Sequence, residues 1–183
     1  MSGTGKSTLV NNISRNLGIK RIITTTSRAI RNREINHYDY HFISKKEFKE
    51  KIQQKYFLEY IKKYNNYYGT ALDDFDQDCV ATLSIEGAEY INNIFNDVII
   101  IYLNCSFDIC KERLMLRDHN DTEEKKIIKR LGKDIILYSR VLNNCFVIDA
   151  SMSEDKVLHE TISIIKNKEY NENFNTKREG VIN

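Results

Sequence analysis

"MSGTGKSTL", Met1–Leu9, is the stretch on which the fold turns. From Ser2 it reads as the latter part of a phosphate-binding loop, whose pattern is Gly, four residues, then Gly-Lys-Ser/Thr, set between a strand and a helix. Gly5-Lys6-Ser7 is intact, while the first glycine of the pattern would fall one place before Met1. Gly3 and Gly5 let the backbone curl so that successive N–H groups face one anion, and the following helix adds its positive end. In such a loop Lys6 reaches the β- and γ-phosphates of a nucleotide and Ser7 holds magnesium. The competing reading is a Gly-rich leader carrying an incidental Gly-Lys-Ser.

Working outward, Ser7–Asn16 has a helical pattern and Gly18 is a stop signal. "KRIITTT" reads as a short strand, "KKEFKEKIQQ" as a polar helix with one apolar stripe, and "YFLEYIKKYNNYYGT" as extended and aromatic-rich. "CVATLSI" and "DVIIIYLN" are apolar runs of strand length, each followed by a helical segment, "EGAEYINNIF" and "SFDICKERLMLR". A longer amphipathic helix follows in "DTEEKKIIKRLGKDIILYSRV", with Ile127, Ile128, Leu131 and Ile135 on one face. "CFVIDA" is a last strand, and "SEDKVLHETISIIKNK" a last helix with Val157, Leu158, Ile162 and Ile165 as its stripe. Alternating apolar strands and amphipathic helices indicate an α/β protein with a parallel sheet. Residues from Arg28 to Thr70 break the alternation and read as an inserted, β-rich lobe. The tail from 169 to 183 is polar and without periodicity, and reads as disordered.

A length of 183 residues fits one domain and a substantial core. With 28 basic and 26 acidic residues the net charge is +2, a balance that argues against bulk nucleic-acid binding. Cys79, Cys105, Cys110 and Cys145 are scattered, as are His37, His41, His119 and His159, so neither set has zinc or redox spacing. Reduced thiols in a cytoplasmic protein are the expectation. No apolar run approaches the roughly 20 residues of a membrane helix, and the N-terminus lacks a signal-peptide pattern.

Four further clusters carry chemistry. In "TTTSRAIRNREINHYDYHF", Arg28 and Arg31 are three apart, and two guanidinium groups converging on one point suit a phosphate; the alternative is a solvated basic loop. In "FLEYIKKYNNYYGT", Glu59 lies among aromatics, where a carboxylate can accept the N1–H and 2-amino hydrogens of guanine, a donor pair that adenine lacks; the alternative is an exposed glutamate on an edge strand. Arg113 and Arg117, four apart, share one helical face, and Arg130 lies on the next helix. Three arginines closing over transferring phosphates would neutralise developing charge; otherwise they are surface arginines. In "LDDFDQD", one of Asp73, Asp74, Asp76 or Asp78 could supply a site carboxylate, but a solvated acidic loop is the favoured reading.

Taken together, the loop, the threonine–arginine segment, "DYHF", "FLEY", "NYYGT" and the arginine helix resemble guanylate kinase, in that family's order, from about Ser2 to Ile165. The resemblance implies an α/β P-loop kinase: a parallel-sheet core flanked by helices, a small β-rich GMP-binding lobe at about 28–72 and a helical lid at about 113–130, within a domain spanning 1–168. It implies ATP and GMP as small-molecule substrates, with magnesium, in a monomer or homodimer that binds neither nucleic acid nor membrane. By that resemblance Gly3, Thr4, Gly5, Lys6, Ser7 and Thr8 would serve ATP, with Ser7 on the metal. Thr24, Arg28, Arg31, Tyr40 and Tyr68 would hold the GMP phosphate. Glu59 and Thr70 would read guanine, with Ser84 on the same side. Lys6, Arg113, Arg117 and Arg130 would be catalytic.

The chain also departs from the family. A hydrophobic strand normally feeds the loop, and the expectation is that one lies upstream of Met1 in the source DNA. "ATLSIEGA" has Thr82 and Ser84 where the family has two aspartates, and Glu86 where it has glutamine. Ile30 and Arg33 replace Pro and Gly of the phosphate-binding segment, Asp149-Ala150-Ser151 replaces an Asn-Asp-Asp, and "LRDHNDTEE" adds residues in the lid. The alternative function carried with these departures is a catalytically impaired guanylate-kinase-like binding module or truncated paralogue.

Overall fold

The structure is a computed structural model that describes residues 1–32, 34–75, 78–95, 97–118, 121–137 and 145–179, with backbone alone at 117–118, 121–123, 137 and 169–179. Its elements run α1 (Lys6–Leu17), β1 (Lys20–Arg21), β2 (Thr25–Thr26), β3 (His41–Phe42), α2 (Lys45–Gln53), β4 (Phe57–Lys63), β5 (Asn66–Ala71), β6 (Cys79–Val80), α3 (Ile85–Ile94), β7 (Ile101–Asn104), α4 (Phe107–Asp118), α5 (Asp121–Leu137), β8 (Phe146–Asp149) and α6 (Glu154–Glu179). The chain divides into two compact units, residues 1–9 with 99–183, and residues 10–98.

In the first unit, β7 and β8 pair in parallel, Ile101 opposite Phe146 through Asn104 opposite Asp149. Leu114, Leu131, Ile148 and Cys110 are almost wholly buried, and Ile127, Leu103, Cys105 and Val157 are buried as well. The amphipathic stripe of α5 differs from the sequence expectation. Ile127 and Leu131 face the core, but Ile128 and Ile135 are 42% and 46% exposed, and the third buried position is Asp134 at 0%. Helical backbone in α6 continues to Glu179, past the Lys168 at which the periodic stripe ends. Neither Gly nor Pro interrupts Glu169–Glu179, and Gly180 follows, so no helix breaker stops the backbone where the apolar pattern ends.

In the second unit, β1 pairs β6 in parallel. A four-stranded mixed sheet has the order β3-β2-β5-β4. The parallel pairing expected of an α/β protein is therefore present in both units, as two-stranded pairs. "KRIITTT" splits, because buried Ile22 separates β1 from β2 and the two halves enter different sheets. β4 and β5 form a hairpin closed by Tyr64-Asn65, both at positive φ (50° and 61°), the geometry whose twist matches that of paired strands. α2 opens on a capping box, Ser44 with Glu47. Its Phe48 is fully buried and stacks on Phe57 at 4.3 Å and Tyr67 at 5.3 Å, which fixes the helix over the hairpin.

Candidate active site

The candidate residues fall into two clusters, one in each unit. The first is the loop before α1. Gly3 and Gly5 have φ of +81° and +86°, a region that side chains disfavour, so the curl needs glycine at both places. Gly3 needs it twice over, since a Cβ there would lie 2.8 Å from the carbonyl oxygen of Cys110. Thr4 is buried and its hydroxyl donates to the Met1 carbonyl at 3.1 Å. The Lys6 ammonium donates to the same carbonyl and to Thr4 Oγ1 (3.3 Å), so the amine lies over the loop's own backbone. Ser7 and Thr8 are exposed in the first turn of α1, where N–H groups have no helical partner. The donor set fits a polyphosphate. Among the described residues no three acidic, His or Cys side chains converge for a metal, so magnesium here would rest on Ser7 and on the nucleotide's own oxygens.

Arg113 donates from Nη1 to the Ala150 carbonyl at 2.8 Å, just after β8, and is tied there. Arg130 is half-buried on α5. Arg117 lies on α4 with its side chain outside the described residues, and Arg33 and Asp76 lie wholly outside them. The Cys110 thiol beside the loop is fully buried, and burial first, then neighbouring Cys105, pushes it up to about 12, which leaves it inert as a nucleophile.

The second cluster is built on the four-stranded sheet. Thr26 pairs with Tyr68 and Thr25 with Gly69, which brings the loop after β2 against β5. Thr26 Oγ1 donates to the Tyr67 carbonyl (2.9 Å) and accepts from the Arg28 N–H (3.2 Å), and Ser27 Oγ accepts from the Tyr67 N–H (2.9 Å). Arg28 is thereby aimed at Tyr40, whose ring centroid is 5.3 Å from the guanidinium carbon, and Tyr40 meets Tyr68 edge-on at 6.4 Å. Thr24 joins the same sheet through its carbonyl, which accepts from His41 N–H at 3.0 Å.

An acid stands among these basic groups. Arg28 grips Glu34 with two bonds of 2.8 and 2.9 Å, and the Arg31 N–H donates to Glu34 at 2.8 Å. Burial opposes both charges, but the mutual bonds overcome it, so Arg28's pKa is raised and Glu34's lowered. Glu34, which follows Arg31 by three residues, is a site residue that sequence reasoning missed; its opposite charge within the arginine segment was the available signal. Burial also raises the Tyr40 phenol, against the pull of Arg28.

On β4 and β5, Glu59 and Thr70 are register partners, and Thr70 Oγ1 donates to Glu59 Oε1 at 2.7 Å. Thr70 is fully buried and lies two residues from Tyr68, hence on the same face of β5. Burial raises the pKa of Glu59, the Thr70 bond opposes the rise and Glu86 adds to it. The start of α3 closes this corner. A Cβ on Gly87 would lie 2.7 Å from Glu59 Oε2. Ser84 caps the helix, accepting from the Gly87 N–H at 2.9 Å. Its hydroxyl oxygen is thus a structural acceptor beside Glu59, which is a different task from that of a charged ligand. Asp74, of the acidic loop, lies 3.7 Å from Lys20.

A sequence model of guanylate kinase matches residues 1–168. The chain is 32% identical to guanylate kinase of Wigglesworthia glossinidia brevipalpis over 91% of its own length and 85% of that protein. It is 35% identical to guanylate kinase of Neisseria gonorrhoeae over 70% of its length, a match that spans 65% of the Neisseria protein. The crystal structure of guanylate kinase from Anaplasma phagocytophilum superposes with a TM-score of 0.59 over 90% of this chain and 79% of that one, at 17% identity, and so shares its fold. With the phosphate loop, the arginine–tyrosine cluster and the Glu59–Thr70 pair, these likenesses establish that the chain belongs to the guanylate kinase family.

Proposed function

We propose that this chain is a nucleoside monophosphate kinase that converts ATP and GMP to ADP and GDP. The observation that carries the reading is the bond between half-buried Glu59 and buried Thr70, on the same sheet as Tyr68 and the strands that Arg28 and Tyr40 flank. A carboxylate for guanine's two donors and a cationic, phenolic cluster for a phosphate match the two ends of GMP.

In this reading a phosphate oxygen of GMP attacks the γ-phosphorus of ATP, the bond to the β–γ bridging oxygen breaks, and ADP leaves. The chain supplies position and charge rather than a nucleophile. Gly3 to Ser7 present backbone N–H groups to the ATP phosphates and Lys6 leaves the Met1 carbonyl for a phosphate oxygen. Ser7, with the nucleotide's own oxygens, would hold magnesium, which would neutralise phosphate charge when bound. Arg28 exchanges Glu34 for the GMP phosphate, where Arg31 joins it, so Glu34 keeps the Arg28 guanidinium and the Arg31 backbone in place beforehand. Arg113, Arg117 and Arg130 take the part of lid arginines, with residues 113–130 as lid and 28–72 as GMP lobe. The reading places the reaction in the cytoplasm. Among the described residues no helix is long and apolar enough to cross a membrane.

The test is ADP release by the purified chain with magnesium, ATP and each of GMP, AMP, CMP and UMP. ADP with GMP alone is expected. Equal ADP with AMP would sink the role given to Glu59, and none with any nucleotide would sink the activity.

A further inference from the structure

The core face of α5 carries Ile127, Leu131 and Asp134, exposed by 4%, 0% and 0%. A carboxylate at the third position of an apolar stripe is unusual, because aspartate is almost never fully buried unless paired. Its Oδ2 accepts the backbone N–H of Ser2 at 2.7 Å, across 132 residues of sequence. That length is the short one of a bond to a charged acceptor. Ser2 directly precedes Gly3, whose positive φ begins the curl and where an added Cβ would run into the backbone of Cys110 on α4. The entry limb of the loop is therefore fixed on two sides, by a hydrogen bond from α5 and by close contact with α4.

We propose that Asp134 is a positioning residue for the phosphate loop. By engaging the Ser2 amide it sets where the curl begins, and so which way the N–H groups from Gly3 to Ser7 face. Arg130 lies one turn earlier on the same helix, so the tie also sets the loop against an arginine assigned to the transferring phosphates. This rests on the reading of Met1–Leu9 as the ATP loop. Asp134 touches no substrate, and its effect passes through Ser2. Its removal acts on ATP and on turnover, and leaves GMP affinity alone.

The experiment compares Asp134→Leu, Asp134→Asn and Lys6→Ala in the full chain, by calorimetric titration with magnesium-ATP and with GMP, steady-state kinetics and thermal melting. Leucine fills the buried space without an acceptor, whereas asparagine keeps an oxygen for the Ser2 N–H without the charge. Asp134→Leu is expected to weaken ATP binding about tenfold, the worth of one such bond, with GMP binding within about twofold of the parent. Asp134→Asn is expected to recover most of the ATP affinity. Unchanged ATP affinity in Asp134→Leu, or equal loss for both nucleotides, would overturn the proposal. If Asp134→Leu gives no cooperative melt, Asp134→Asn decides: a loss of about threefold confined to ATP supports the tie, and no loss or a shared one overturns it. Lys6→Ala separates the two levels. If it leaves ATP binding intact, the loop reading itself fails and the tie has no function to serve; if it abolishes ATP binding while Asp134→Leu does not weaken it, the tie alone is wrong.

Discussion

At the scale of single residues, Glu59 shows how function and stability pull apart. Reading guanine needs the carboxylate ionised, since both donors then meet an acceptor; burial pushes the group the other way, toward the proton. A carboxyl whose folded pKa is raised contributes stability that is complete below its ordinary value and lost as pH rises through the raised one. Ionising Glu59 in the ligand-free protein therefore works against its own stability. Glu59→Gln should raise the melting temperature of the free protein and lower kcat/KM for GMP by about 10- to 150-fold, the range for one lost hydrogen bond to a charged group. Its amide also turns a donor toward a donor of the base. In the parent, kcat/KM for GMP should fall on the acid side at a pH above the usual carboxylate range, while KM for ATP shows no such limb. A Glu59→Gln variant that keeps GMP turnover, or an acid limb shared by both substrates, would remove Glu59 from the base site. Glu34 has the opposite sign: its lowered pKa gives stability present above the ordinary glutamate value and lost as pH falls through the lowered one.

At the scale of elements, the start of α3 sets the second oxygen of Glu59. Alanine at position 87 should favour the helix by about 1 kcal/mol, yet its Cβ would stand 2.7 Å from Oε2 and force the carboxylate aside. Gly87→Ala is thus expected to raise KM for GMP about tenfold, with KM for ATP and helical content unchanged. Gly132→Ala on α5, where nothing lies within 4 Å of an added Cβ, serves as the control: stability rises by up to about 1 kcal/mol and neither KM moves. A Gly87→Ala enzyme with parental KM for GMP would show that α3 does not hold the base reader. The contrast also marks what the sequence could disclose. Periodicity in α5 was plain, and Ile127 and Leu131 are buried as it predicts. That Asp134 completes the stripe in place of Ile135 depends on an N–H 132 residues away, which no local pattern carries. Likewise "KRIITTT" is visibly β-forming, but its division between two sheets depends on which partners, β6 and β5, come to meet it.

At the scale of the whole molecule, the residues assigned to the two nucleotides sort by compact unit. Gly3 to Thr8, Arg113 and Arg130 lie in the unit of residues 1–9 and 99–183, whereas Thr24, Arg28, Arg31, Tyr40, Glu59, Tyr68, Thr70 and Ser84 lie in that of residues 10–98. The sequence marks an inserted lobe from Arg28 to Thr70, and the compact unit runs on past Thr70 because α3, twenty-eight residues beyond Glu59 at Gly87, closes on the hairpin. A contact of that kind is set by packing, while the break in α/β alternation that revealed the lobe is set by local composition. A ligand stabilises the state it binds by mass action, about 2.7 kcal/mol at a hundred times its Kd, and that stabilisation appears as slowed amide exchange where local opening must break its contacts. Hydrogen exchange read peptide by peptide should therefore separate the two nucleotides. GMP alone is expected to slow exchange over residues 24–31, 57–71 and 84–87 and to leave 2–9 unchanged. Magnesium with a non-hydrolysable ATP analogue is expected to slow residues 2–9 and leave 57–71 unchanged. Protection of 2–9 by GMP alone would exchange the assignments of loop and lobe. Protection of 57–71 by the ATP analogue alone would mean that the Glu59–Thr70 pair reads a base other than guanine.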